Sequence, residues 1–175
     1  MRNFVIISGC SGGGKSSILA ELDRRGHATV PEPGRRIVEE ETSSGGSALP
    51  WSDLGAFLRR ALVLSREDVA TATAQTGWVF FDRGLLDAAS GLAKLTGEWP
   101  DLGDVRFHPK VFLTPPWPEI YVQDAARRHG LEQATEEYRR LLRDYPALGY
   151  QAVELPRMPV ADRADLILRE LESRM

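Results

Sequence analysis

The chain has 175 residues, 42% hydrophobic and 27% charged, a globular balance that argues against disorder, coiled coil or collagen and leaves room for one sizeable core. A formal net charge of −3 leaves no overall basic surface for a nucleic-acid backbone. Cys10 is the only cysteine, which excludes an intramolecular disulfide and a cysteine zinc cluster and fits a reducing, cytoplasmic setting.

Residues 4–7, Phe-Val-Ile-Ile, make an unbroken apolar run ending at Ser8-Gly9, which predicts a strand buried on both faces, as in a parallel sheet. This run is too short for a signal peptide, and no apolar run in the chain approaches the roughly 18 residues a membrane span needs. A glycine loop follows, then a helical pattern over 15–25, with Ile18, Leu19 and Leu22 at helical spacing and Gly26 as a stop. Apolar stretches at 27–30, 78–81, 111–113 and 151–155 predict four more strands. Helical patterns occupy 35–41, 52–75, 85–95, 119–128, 131–144 and 161–173. The longest opens on Ser52-Asp53, which suits an N-cap, and turns Leu54, Phe57, Leu58, Ala61, Leu62 and Leu64 toward the sheet. Within 131–144, Glu132, Glu136 and Glu137 with Arg139, Arg140 and Arg143 read as a solvated face. The stretches 42–47 and 97–109 read as mobile loops. No repeat or composition break divides the chain, so residues 1–175 are expected to form one doubly wound α/β domain.

Gly9-Cys-Ser-Gly-Gly-Gly-Lys-Ser16 matches the G-x-x-x-x-G-K-[ST] phosphate loop in full, between a predicted strand and a predicted helix as its mechanism requires. Backbone N–H groups from Gly9 through Ser11, Gly12, Gly13 and Gly14, and from Lys15, Ser16 and Ser17 at the helix start, are expected to converge on phosphate oxygens. Lys15 should reach the β- and γ-phosphates, and the Ser16 hydroxyl should ligate Mg²⁺. Cys10 reads as a spacer. ATP is favoured over GTP because the N-K-x-D element of guanine-specific GTPases is impossible in a chain whose only asparagine is Asn3.

Trp78-Val-Phe-Phe-Asp82 has the form of a Walker B strand, whose carboxylate meets Mg²⁺ directly or through water. Motor ATPases commonly follow that Asp with a Glu that activates water. Here Arg83 follows, and a cation that cannot act as a general base favours phosphoryl transfer to a small molecule over hydrolysis. Val30-Pro-Glu-Pro-Gly-Arg35 closes the second predicted strand, so Glu32 and Arg35 should face the same crevice as Asp82 and Arg83, because parallel sheets bind ligands at the carboxyl ends of their strands. The alternatives are a solvated turn carboxylate for Glu32 and a buried structural ion pair for Asp82 and Arg83.

On these segments the chain resembles the P-loop nucleoside and nucleotide monophosphate kinases: thymidylate kinases have a similar Glu-Pro-Gly, deoxynucleoside kinases a Glu-Pro, each with an acidic-Arg pair further on. It looks closest to a bacterial AAA-type kinase-like ATPase family that includes the nicotinamide riboside kinase domain, through Glu32-Pro-Gly-Arg-Arg36, Phe81-Asp-Arg-Gly84, Pro115-Pro-Trp-Pro-Glu-Ile-Tyr121 and Leu148-Gly-Tyr150. The resemblance implies a three-layer α/β/α sandwich around a five-stranded parallel sheet, with the expected order 2-3-1-4-5. It implies that Glu32 orients or deprotonates an acceptor hydroxyl and that Arg83, with Arg35, holds the acceptor.

It also implies a lid at about 115–130, with Arg127 and Arg128 as its arginines; pairing of Asp124 with Arg127 or Arg128 along one helix is the plain alternative. The lid has fewer arginines than deoxynucleoside kinases carry. Arg157, after the last strand, is expected either on the nucleotide base or in solvent. The function expected is Mg²⁺-dependent transfer of a phosphoryl group from ATP to a nucleoside, nucleotide or similar metabolite. The alternative is a nucleotide-sensing ATPase that acts through a protein partner.

Overall fold

The computed structural model describes residues 3–120 and 130–172. Five strands form one parallel sheet: β1 (Phe4–Gly9), β2 (Ala28–Val30), β3 (Val79–Asp82), β4 (Lys110–Thr114) and β5 (Gln151–Glu154). Their order is β2-β3-β1-β4-β5, the expected 2-3-1-4-5. The fold is that of the P-loop kinases. Register pairs Ile7 with both Asp82 and Phe112, and Gly9 with Thr114, so β1, β3 and β4 end together and release their loops at one rim.

Each strand places alternate residues on opposite faces, and two apolar layers result. Phe4, Ile6, Phe81, Val111 and Leu113 pack under α3 (Leu54–Ala72), α4 (Leu85–Thr96) and α5 (Leu131–Ala147), with Ile37 of α2 (Pro33–Ser44) beside them. Val5, Ile7, Phe80 and Phe112 pack against Ile18 and Leu22 of α1 (Lys15–Arg24) and Ile167 and Leu171 of α6 (Val160–Glu172). Among the described residues no helix is long and apolar enough to cross a membrane.

Several bounds differ from expectation for local reasons. Helix α2 starts at Pro33, since proline suits the first turn, and runs to Ser44 before Gly45 ends it with a φ of 72°; half of the expected 42–47 loop is therefore helical. In α3 the N-cap is Asp53, whose side chain accepts from Ala56 N at 2.8 Å. The segment 97–109 is irregular, but its Phe107 is buried edge-on against Phe81, and Asp101 accepts from Arg66. Of the expected helix over 119–128, a single 3₁₀ turn at Pro118–Ile120 is described; Arg127 and Arg128 lie outside the described residues.

Candidate active site

The phosphate loop leaves β1 and re-enters helix α1 with its backbone pressed onto β4. Cys10 N donates to Thr114 O at 2.8 Å, and a Cβ on Gly9 would lie 2.3 Å from that same carbonyl. No other residue fits there. Gly14, with a φ of 86°, is the left-handed N-cap of α1 and turns the first helical N–H groups toward the cleft. Lys15 is buried and its Nζ donates to Cys10 O at 3.0 Å, folded back across the loop. Burial and the nearby Arg83 push its ammonium below the ordinary lysine range, against Asp82, Glu32 and Glu137, which pull it up. Ser16 and Ser17 are exposed and line the cleft with Ser11, Gly12 and Gly14.

Asp82 ends β3 one strand from the loop. Its side chain is buried, and Oδ1 has no hydrogen-bond partner among the described residues. Burial, then the charge of Glu32, pushes this carboxyl up to about 6. Arg83 follows with a φ of 62°, the single non-glycine residue with positive φ among those described; its N donates to Ile7 O at 2.9 Å, which holds the unusual turn. The turn aims the guanidinium back under the cleft.

Three carboxylates surround that guanidinium. Glu137 of α5 takes it through both oxygens, at 2.8 and 3.3 Å. Asp87 of α4 lies 3.5 Å from it, and Glu32 Oε1 is 3.3 Å from Nε, close enough for charge pairing though not aligned as a hydrogen bond. Asp87 in turn accepts from the Ser8 hydroxyl and from Tyr145 Oη at 2.7 Å. Burial alone would disfavour the Arg83 cation, but Glu137, Glu32 and Asp87 more than offset it and hold it above the usual arginine range. Burial likewise opposes the Glu137 anion, yet Arg83 and Arg140 keep it below the ordinary carboxylate range. Glu32 and Arg83 are thus brought together, and Arg35 lines the same cleft from α2.

The cleft is continuous and about 1070 Å³ in volume. At one end stand the phosphate loop, Trp117, Arg157 and Arg163; at the other stand Glu32, Arg35, Arg83 and an apolar wall that includes Val38, Phe57 and Leu58. Arg157 is exposed and donates to Pro116 O at 2.6 Å. Arg163, almost fully buried, donates to Gly13 O at 3.1 Å and lies 5.1 Å from the Trp117 ring centre, so α6 braces the loop from outside.

A family model described as an AAA domain matches residues 4–163. The chain belongs to this AAA domain family. No curated protein matches it by sequence. Among solved structures it is similar to a deoxyadenosine kinase from M. mycoides with bound dATP: TM-score 0.64 and 16% identity over 97% of this chain and 99% of that one. A shikimate kinase from Acinetobacter baumannii in complex with shikimate gives a TM-score of 0.57 and 17% identity, over 97% and 92% of the two chains. At such identities the likeness is one of fold.

Three residues of this AAA domain went unread as site residues in the sequence. Glu137, expected on a solvated face, is instead half-buried and paired with Arg83; it sits between Ala134 and Leu141 beside the buried stripe of α5, a spacing that could have flagged it. Asp87 is a lone charge in the apolar start of α4. Arg163 precedes Ile167 and Leu171 at four-residue steps on the inner face of α6.

Proposed function

We propose that this protein transfers the γ-phosphoryl group of ATP to a hydroxyl of a small acceptor, with residues 1–175 acting as one unit and 115–130 as its lid. The observation that carries the reading is that the phosphate loop, Glu32 and Arg83 border one cavity of about 1070 Å³, above the roughly 300–1,000 Å³ usual for one ligand. In this reading the nucleotide and the acceptor share that cavity. Arg83 in place of a water-activating Glu supports transfer rather than hydrolysis.

In this reading the loop from Gly9 to Ser17 cradles the triphosphate, Lys15 leaves Cys10 O for the β- and γ-oxygens, and Arg157 lies beside the base. The donors near the loop suit Mg²⁺: exposed Ser16 lines the cleft, and Asp82 has a buried oxygen with no hydrogen-bond partner among the described residues. Among the described residues there is no group of three His, Cys, Asp or Glu that could hold a metal ion. Ser16 and Asp82 would hold the ion, which would supply positive charge against the triphosphate.

Glu32 accepts the proton of the acceptor hydroxyl as its oxygen bonds to the γ-phosphorus and the bond to the bridging oxygen of ADP breaks. Arg83, pinned by Glu137 and Asp87, holds Glu32 in place, and Arg35 stands on the acceptor side. Arg127 and Arg128 serve the lid, where added positive charge and exclusion of water favour the transition state. The test is ATP consumption with Mg²⁺, alone and then with pools of nucleosides, nucleoside monophosphates and small sugars. One pool should accelerate turnover by at least about tenfold and yield a phosphorylated product. Tight ATP binding with slow turnover that no pool accelerates would contradict the proposal and favour a nucleotide-sensing ATPase.

A further inference from the structure

The acceptor end of the cleft carries a distinctive charge arrangement. A pocket built to hold a phosphate or carboxylate needs a cation with hydrogen-bonding edges left for the ligand, and a bidentate arginine is the commonest solution. Arg83 is the cation in the right place, but its NH1/NH2 edge is taken by Glu137, and its Nε, without a hydrogen-bond partner among the described residues, faces the Glu32 carboxylate. Glu137 occupies one guanidinium face through both oxygens at 2.8 and 3.3 Å, Asp87 stands 3.5 Å from the same NH1 nitrogen, and Glu32 sits 3.3 Å from Nε. Other cations along this end have partners of their own: Lys94 pairs with Glu136 at 2.6 Å, Arg140 donates from Nε to Ser90 at 2.9 Å and has Glu137 at 4.0 Å, and Arg35 has an interaction too. A ligand anion would have to displace a carboxylate already paired in a partly dry site, and would then meet Glu32, Asp87 and Glu137 as three negative neighbours.

The wall opposite is apolar. Phe57 and Leu58 of α3 press so closely on the backbone of α2 and α4 that a Cβ on Gly34 would lie 3.1 Å from the Phe57 ring and one on Gly91 2.9 Å from Leu58. That packing holds a hydrophobic surface beside a polar corner in which the one guanidinium of Arg83 faces three carboxylates.

Resting on the kinase reading above and deepening it, we propose that the acceptor is a neutral or positively charged alcohol without phosphate or carboxylate, its apolar part against Phe57 and Leu58, and that Glu137 is the specificity residue that keeps Arg83 closed to anions. Glu137 acts through Arg83 and is therefore a positioning residue. Converting it to an uncharged amide removes one negative charge and one of the two hydrogen bonds that Glu137 accepts from the guanidinium, so a ligand anion can compete for that edge.

The experiment compares matched probes, nucleosides and their 5′-monophosphates, on wild type and Glu137→Gln, with Mg²⁺ and a non-hydrolysable ATP analogue for binding and with ATP for turnover. Wild type should bind the nucleosides at least about tenfold more tightly than the monophosphates, and Glu137→Gln should shift that ratio by about tenfold or more toward the monophosphates. A residue with only a structural role would weaken both probes together. Asp87→Asn, which also releases charge from Arg83, should shift the ratio in the same direction; a melting curve on each variant establishes that it is folded. Tighter binding of monophosphates by wild type, no binding of either probe, or an unchanged ratio in both folded variants would overturn the inference. Selective binding of nucleosides without phosphoryl transfer from ATP would leave this inference standing and refute the kinase reading instead.

Discussion

Asp82→Asn separates the cost of the site from its use. The Asp82 carboxyl is buried, its Oδ1 has no hydrogen-bond partner among the described residues, and burial with the Glu32 charge raises it from 3.8 to about 6. A raised carboxyl means that the folded state holds its proton longer than the unfolded chain does. Above pH 6 the group is ionised in both states, and the folded state bears the full cost, up to about 3 kcal/mol at roughly 1.4 kcal/mol per pH unit. As the pH falls through the window from about 6 toward 3.8 the folded state takes up its proton first and the cost fades; at pH 5 about half remains. The variant carries no charge at either pH. Without nucleotide or Mg²⁺ it should be more stable than wild type at pH 8 by up to about 3 kcal/mol, and by about half of that at pH 5. Urea unfolding at the two pH values, followed by circular dichroism, reads this directly. ATP with Mg²⁺ should then stabilise wild type far more than the variant, because binding supplies the missing partner. A variant less stable than wild type at pH 8, or a gain independent of pH, would refute the reasoning.

Other substitutions probe the remaining parts. Lys15→Ala should abolish ATP turnover while the far-UV spectrum and cooperative melt survive, since it removes a buried cation whose own ionisation burial opposes. Glu32→Gln should lower kcat for acceptor transfer by about 10²- to 10⁴-fold with little change in ATP affinity, as measured by steady-state kinetics beside calorimetry. Gly9→Ala should leave little folded protein, because its Cβ would meet the Thr114 carbonyl at 2.3 Å and force β1 away from β4; solubility and circular dichroism check this. Tyr145→Phe removes the 2.7 Å hydrogen bond to buried Asp87 and should cost about 1–3 kcal/mol in urea unfolding.

Much of the architecture is readable without coordinates, because strands buried on both faces write continuous apolar runs and the phosphate loop carries its own punctuation. Phe4 to Ile7, the loop to Ser16, and Asp82 with Arg83 all stand where their residue types place them. The acceptor side is harder for a physical reason. Its charge is set by tertiary contact across long stretches of chain, as when Glu137 of α5 closes on Arg83 after β3. Along α5 the alternating Glu and Arg residues mimic exposed i, i+4 pairing, and only the buried stripe of Ala134, Tyr138, Leu141 and Tyr145 betrays which glutamate turns inward. Arg163 shares the inner stripe of α6 in the same way, and nothing local marks its reach to Gly13 O.

The measurement that bears most directly on phosphoryl transfer is the fate of the γ-phosphoryl group. ATP labelled at the γ-phosphate should be incubated with Mg²⁺, the protein and the acceptor pools, and the label followed by mass spectrometry. The account predicts label in an organic phosphate ester, formed in step with ADP, dependent on the pool and lost in both Lys15→Ala and Glu32→Gln. Label recovered only as inorganic phosphate, at a rate indifferent to every pool and to Glu32→Gln, would contradict it.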